Sequence, residues 1–277
     1  MEITGILSEI RPIYHTYVFE LKRNWKKFII FIIIISLIAF LLGTLPYLLI
    51  PENTLSPSQI NYMNDTLGFI NLILIFSICF FFGGIICSEY HEKTGYIVFP
   101  KINKFKLIIG KYLGNLTLNI VVIGFYYGLT ALTTMYFYGL PIYFKLFQSF
   151  AIAVLYLLAV SAFVTLFSSF LKTSLMTTVA TILILLIGFS IVDSIVTLAL
   201  PDFEPLYSLE FVSRLITGVI TKDFPDSKSG RYTDFEVQGF KFRQWLHPSI
   251  EGGIIVLLLY MAASFLLAAY LFKKRQL

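Results

Sequence analysis

Charge is scarce in this chain. Only 13% of its 277 residues are Asp, Glu, Lys or Arg, about half the share of a soluble domain. With 57% hydrophobic residues and a mean hydropathy of +0.82, that scarcity excludes an ordinary cytosolic enzyme, a disordered chain and a nucleic-acid-binding domain. Cysteine is nearly missing as well. Cys79 and Cys87 sit in one apolar run, so they cannot staple distant segments and leave the redox compartment open. Catalytic motifs are lacking. His91-Glu92 opens a zincin-like string, but Gly95 stands where the second histidine is needed. There is no Gly-x-Ser-x-Gly elbow, and His15, His91 and His247 fall in different segments. Gly110-Lys111 lacks the rest of a phosphate loop, so any ATP-driven work needs another polypeptide. The chain is therefore expected not to be an enzyme, and an intramembrane hydrolase is disfavoured for want of a catalytic pair.

What is present is long apolar runs. A bilayer core needs roughly 20 apolar residues in a helix, and six runs meet that length: about 28–50, 67–87, 107–138, 146–171, 175–200 and 253–272. They are too uniformly apolar for barrel strands, which alternate with period two. The expected fold is an all-α polytopic membrane protein of six transmembrane helices. The third run is too long for one upright crossing. The first begins at Phe28, exceeds a signal-peptide core and lacks a small-x-small cleavage site, so it is expected to remain in the mature chain.

Lys and Arg positions set the orientation. The N-terminal stretch holds Arg11, Lys22, Arg23, Lys26 and Lys27, and the connection between spans 2 and 3 holds Lys93, Lys101, Lys104, Lys106 and Lys111. The chain ends in Lys273, Lys274 and Arg275. Spans 1 and 2 are joined without a single basic residue. Alternate segments hold fourteen and seven cations, six of the seven in a long connection that also carries eight acids. Both termini and the 2–3 connection are expected in the cytoplasm, and the protein in the cell membrane. The surplus of cations then belongs to the membrane boundary, not to nucleic acid.

Three segments outside the spans carry pattern. In residues 6–27 the apolar positions Ile10, Ile13, Tyr14, Tyr17, Val18, Leu21 and Trp25 recur at three and four, opposite Glu9, Arg11, Glu20, Lys22, Arg23 and Lys26. This predicts an amphipathic interfacial helix with Pro12 at its first position, either a generic anchor or a docking element. In the 2–3 connection, residues 88–106, the charged turn Ser88–Thr94 precedes Tyr96–Phe99, which are apolar residues stranded among charges between Gly95 and Pro100. They form a docking surface or fold back onto the bilayer. In the 5–6 connection, residues 201–251, a helical pattern begins at Pro205 with Leu209, Val212, Ile216 and Val219 on one face. It is too short to cross, so it is interfacial or re-entrant, and 222–241 reads as a polar loop.

At membrane depth the clear ionisable residue is Asp193, about 10 Å inside the far boundary by helical rise. A carboxylate there is costly. It either contacts a substrate or cation, or is bonded by Ser190 and Thr197 or reaches outward. Ser161, Thr165 and Ser168 stripe the fourth span. The third carries Asn115, Asn119, Gly110-x-x-x-Gly114 and Gly124-x-x-x-Gly128. Such stripes are helix contacts or, in the sharper reading, the lining of a pathway.

The 2–3 connection resembles that of the permease subunits of type 2 ATP-binding cassette (ABC) exporters. In that family an acidic turn after the second span is followed by Gly-Thr, an apolar stretch, a Pro followed shortly by Arg, and a Lys opening the third span. Glu89, Glu92, Gly95, Pro100, Lys104 and Lys111 occupy those places; Tyr96 stands where Thr is usual and Lys104 where Arg is usual. The ending Phe272-Lys273-Lys274-Arg275 looks like the family's too, with Gln276 replacing its acid. The resemblance implies a half-transporter without a cofactor of its own. It would pair with a second permease chain and with cytoplasmic ATPase subunits that bind ATP and Mg. Residues 88–106 would be the coupling segment, with Glu89 and Glu92 as polar anchors, Gly95 and Pro100 fixing its turns, and Tyr96, Phe99 and Lys104 at its contact surface. A non-transporting membrane module that kept the fold, an immunity protein or assembly factor, is the alternative.

Overall fold

The structure is a computed structural model that describes residues 2–49, 58–100, 102–222, 224–225, 227–237 and 240–275. Six of its helices are long and apolar enough to cross a membrane: Ile10–Leu49, Gln59–His91, Lys104–Tyr138, Lys145–Phe170, Ser174–Ala199 and Ile250–Lys274. A helix satisfies its own backbone groups, which lipid cannot do, so an apolar run of this length has little other choice. The described chain is a helical membrane protein with one small two-stranded sheet.

The core lies among the second, third and fourth spans, where Tyr62, Phe82, Tyr126 and Tyr156 are fully buried. The sixth span lies along the fourth, and the N-terminal helix along the third. The first, fifth and sixth spans leave Ile33, Ile195 and Leu266 more than half exposed, as lipid-facing surfaces do.

The amphipathic prelude is not a separate helix. Glu2–Ile38 is one continuous helix running into the first span, and Pro12 sits inside it rather than at its start. The Thr16 hydroxyl donates to the Pro12 carbonyl at 2.8 Å. The side turned into the protein carries Thr16, Glu20 and Asn24, four apart and buried, while Ile10, Tyr14 and Trp25 are exposed. The polar stripe goes inward because it meets Gly110 and Gly114 of the third span. A Cβ at Gly110 would lie 2.8 Å from the Ile13 carbonyl, and one at Gly114 would lie 3.1 Å from that of Tyr17. The second glycine pair behaves differently. A Cβ at Gly124 would be 4.0 Å from Phe150, and one at Gly128 would meet nothing.

The second span is broken. Helices Gln59–Leu67, Ile70–Phe82 and Cys87–His91 follow one another, with turns at 83–86. The Ser168 hydroxyl of the fourth span mends the break. It accepts from the backbone of Ile86 (3.0 Å) and Cys87 (3.2 Å) and donates to the Gly83 carbonyl (3.2 Å).

The 5–6 connection is more ordered than its sequence suggests. Helices Leu209–Ser213 and Leu215–Gly218 start at Ser208, not Pro205, and Ser208 accepts from the Phe211 amide at 3.2 Å. Leu209, Val212, Ile216 and Val219 do share a buried face, packed on protein. Within the expected polar loop, β1 (Tyr232–Val237) pairs antiparallel with β2 (Phe240–Trp245). Tyr232 stands opposite Trp245 and Asp234 opposite Arg243, the cross-strand pairs that hold such a hairpin. Arg231 ties it back, bonding Glu204 at 2.9 Å while Glu204 also accepts from the Ser249 amide at 2.6 Å.

Candidate functional site

Between the second and third spans the chain makes two short helices, Cys87–His91 and Gly95–Val98, with Lys93 between them at a positive φ of 57°. The coupling residues divide into two sets. Glu89 and Gly95 are buried, and Phe99 packs against the core. Glu92, Tyr96 and Pro100 are exposed, Tyr96 by 60%. The two acids expected as joint anchors therefore differ, since only Glu89 anchors inward.

Glu89 pairs with Lys111 and accepts from the Thr94 hydroxyl at 2.6 Å. Lys111 is 3% exposed, so the cation expected at the membrane boundary is spent inside the protein. It also donates to the Ile85 carbonyl (3.3 Å) and lies 3.8 Å from Glu20, whose side chain is fully buried. Glu20 is held further by Arg23 at 2.7 Å and by Asn24 at 3.1 Å. Asn24 then donates to Asn115 at 2.7 Å, and Ser77 donates to Asn119 at 2.6 Å. Two carboxylates thus balance one lysine and one arginine. A polar chain joins the 2–3 segment, the N-terminal helix and the third span. Charges this deep persist only when paired and bonded.

The C-terminus meets the same place. Lys104 donates to the Arg275 carbonyl at 2.8 Å and stands 4.9 Å from the Phe99 ring centroid. Phe99 packs edge-on to Phe272, Tyr90 donates to the Arg275 carbonyl at 3.1 Å, and the Arg275 guanidinium covers the Tyr90 ring at 4.2 Å. Arg275 reaches on to the Ser169 carbonyl at 2.8 Å, near the end of the fourth span. The residues that carry the resemblance at 90–104 and at 272–275 are distant in sequence and adjacent in space. The 2–3 segment is a knob fastened to the bundle, with two large aromatics, Tyr96 and Phe105, more than half exposed on it.

Compared with protein-family models and with curated proteins, the chain matches none.

The stripe on the fourth span is buried between helices. Ser161 shares a hydrogen bond of 2.7 Å with Tyr112, Thr165 donates to the Ser161 carbonyl at 2.7 Å, and Ser168 serves the break in the second span. None of the three lines the cavity that contains Asp193. That cavity, about 450 Å³, lies where the end of the fifth span meets Leu209–Ser213 and β2. Neither Ser190 nor Thr197 bonds Asp193; the hydroxyls of Ser208 and Tyr207 stand beside its carboxylate instead. Tyr207, beside Asp193, has its hydroxyl pushed up to about 12 by burial and by that carboxylate, so it stays protonated.

Sequence reasoning missed Glu20, Asn24 and Arg275 as members of the base cluster. The 16, 20, 24 spacing of polar residues was available as a signal, since it is a helical stripe as regular as the apolar one.

Proposed function

We propose that the chain is the membrane-spanning subunit of an ABC exporter. Two such chains, identical or paired with a relative, form the translocation pathway, and separate cytoplasmic ATPase subunits drive it through the 2–3 segment. The observation that carries this reading is the knob itself. A segment fastened to the bundle by the Glu89–Lys111 pair and the Arg275 cluster offers an exposed Tyr96 with Glu92 and Pro100 around it. A short, firmly mounted aromatic surface suits a partner that pushes, because a contact must differ between states to move anything. The amphipathic helix, the knob and the C-terminus cluster together. Cytoplasmic termini, as the distribution of Lys and Arg requires, put that cluster on the ATPase side.

The test is co-purification of the chain with a cytoplasmic ATPase. Tyr96→Glu is expected to weaken the complex roughly tenfold or more, as loss of a central aromatic contact does, while Tyr96→Phe keeps it. A complex that forms equally well with Tyr96→Glu removes the coupling reading. Failure of any ATPase to bind favours the non-transporting module.

A further inference from the structure

Four parts of the chain meet at Arg275. The sixth span ends at Lys274, and Arg275 follows it in extended backbone. Its guanidinium donates to the carbonyls of Ser169 (2.8 Å) and Leu171 (3.2 Å), at the C-terminal end of the fourth span. In the last turn of a helix such carbonyls have no intrahelical donor left, and the helix dipole favours a cation there. The flat face of the same guanidinium lies over the Tyr90 ring at 4.2 Å. The Arg275 carbonyl accepts from the Lys104 ammonium at 2.8 Å and from the Tyr90 hydroxyl at 3.1 Å. Tyr90 stands in the first short helix of the 2–3 segment, and Lys104 opens the third span. One residue therefore holds both limbs of the knob and the ends of two spans.

The knob is mounted twice. The Glu89–Lys111 pair ties it to the third span and, through Glu20 at 3.8 Å from Lys111, to the N-terminal helix. Arg275 ties it to the fourth and sixth spans, which lie along each other. Phe272, 2% exposed, fills the space under this second mount and packs on both Tyr90 and Phe99. Ser168 grips the root of the segment at Ile86 and Cys87; beyond that root, the polar link to the fourth span runs through Arg275. The two mounts use different side chains, so one can be cut while the other stands. A displacement travels through packed and hydrogen-bonded elements only as far as their contacts hold.

We propose that Arg275 is the positioning residue through which the knob moves the fourth and sixth spans. With its guanidinium in place, a push on the 2–3 segment displaces those two spans. Without it, the push reaches the third span and the N-terminal helix alone. As a transmission element Arg275 rests on the exporter reading. As a link within the chain it does not, and the first arm of the test uses the chain without any ATPase.

Both native cysteines are buried, so nitroxides are placed on cysteines introduced at exposed positions. These are Tyr96→Cys on the knob, Phe147→Cys on the fourth span and Lys22→Cys on the N-terminal helix. Pulsed electron-electron resonance on the full chain in phosphatidylcholine nanodiscs reads two distance distributions, knob to fourth span and knob to N-terminal helix. Arg275→Met keeps the backbone carbonyl and removes the guanidinium. It is expected to broaden the first distribution and to leave the second as narrow as in the parent, because the Glu89–Lys111 mount is intact. Arg275→Lys, which returns the charge without the flat face, is expected between the two. A merely structural role broadens both distributions alike. That result, or two unchanged distributions, overturns the proposal. Where Arg275→Met is not recovered folded, Arg275→Lys decides on the same comparison.

The second arm restores Tyr96, so that an ATPase can dock, and reads the distance from Lys22→Cys to Phe147→Cys in the complex with ATP and vanadate. The distance is expected to shift in the parent and to lose most of that shift in Arg275→Met. A full shift in Arg275→Met overturns the transmission role and leaves the exporter intact. A parent that binds no ATPase, or does not move with ATP, removes the exporter reading and the transmission role together, while the link is still judged by the first arm.

Discussion

Replacing Lys111 by Met tests whether the base of the bundle is held by buried charge. The substitution keeps most of the side-chain volume and removes the ammonium. Glu89 and Glu20, 7% and 0% exposed, then lose their closest buried cation and keep only Arg23 and Lys27 near Glu20 among the described residues. Removing one partner of a buried ion pair costs about 3–5 kcal/mol, because the other charge stays buried and uncompensated. At about 2–4 °C per kcal/mol for a chain of this size class, the melting temperature should fall by roughly 6–20 °C. Thermal unfolding in detergent, followed by size exclusion, measures it. The second arm is Lys111→Met with Glu89→Gln, in which both charges of the pair go together. It should recover about 1–3 kcal/mol relative to the sum of the single variants, the coupling expected of residues in one network. Lys22→Met, at an exposed position of the N-terminal helix, is the control and should stay within about 0.5 kcal/mol. A Lys111→Met protein that melts with the wild type, or a double variant no better than additive, would refute the reasoning.

Two further outcomes follow from the packing. Gly110→Ala forces a methyl to within 2.8 Å of the Ile13 carbonyl and should cost about 1–3 kcal/mol. Gly128→Ala, with nothing within 4 Å, should be neutral in the isolated chain, and equal effects in the same thermal assay would contradict the crossing. His247 is held below its ordinary range by burial and by the charge of Arg214. The unfolded chain therefore takes up a proton that the folded chain resists. The stability this contributes is complete above about pH 6.5 and is lost as pH falls toward the lower folded value. Melting temperatures between pH 7.5 and 5.5 should drop less for His247→Gln than for the wild type, and identical slopes would exclude the ring as the source.

The spans were legible because a bilayer permits so few solutions. Twenty apolar residues in a row fold as a helix whatever their neighbours, and the observed spans follow the apolar runs. The side each helix turns inward was not legible in the same way. For Glu20 and Asn24, polarity argues for water, and only the glycine notch of the third span with Lys111 beside it reverses that. The same holds for Lys111, which counts as a boundary cation in sequence and is a buried partner in space. The hairpin was only partly readable. Phe235-Glu236-Val237 and Phe240-Lys241-Phe242 alternate around a glycine at 239, but Thr233-Asp234 and Arg243-Gln244 break the period and Gln238-Gly239 is not one of the common two-residue turn pairs. The polar half of each strand hid it. Ser168 fitted a stripe but not a purpose, because nothing in the second span's apolar sequence besides Gly83-Gly84 announces a break.

The break has a consequence for biogenesis. Chain synthesis places the second span in the membrane while Ser168, more than 80 residues downstream, has not yet been made. Until the fourth span arrives, the amides of Ile86 and Cys87 lack the partner that the finished protein gives them, and lipid supplies none. The second span is thus complete only as part of a four-span intermediate. A ribosome-bound chain stopped before residue 168 should be the form most dependent on the insertion machinery for shelter.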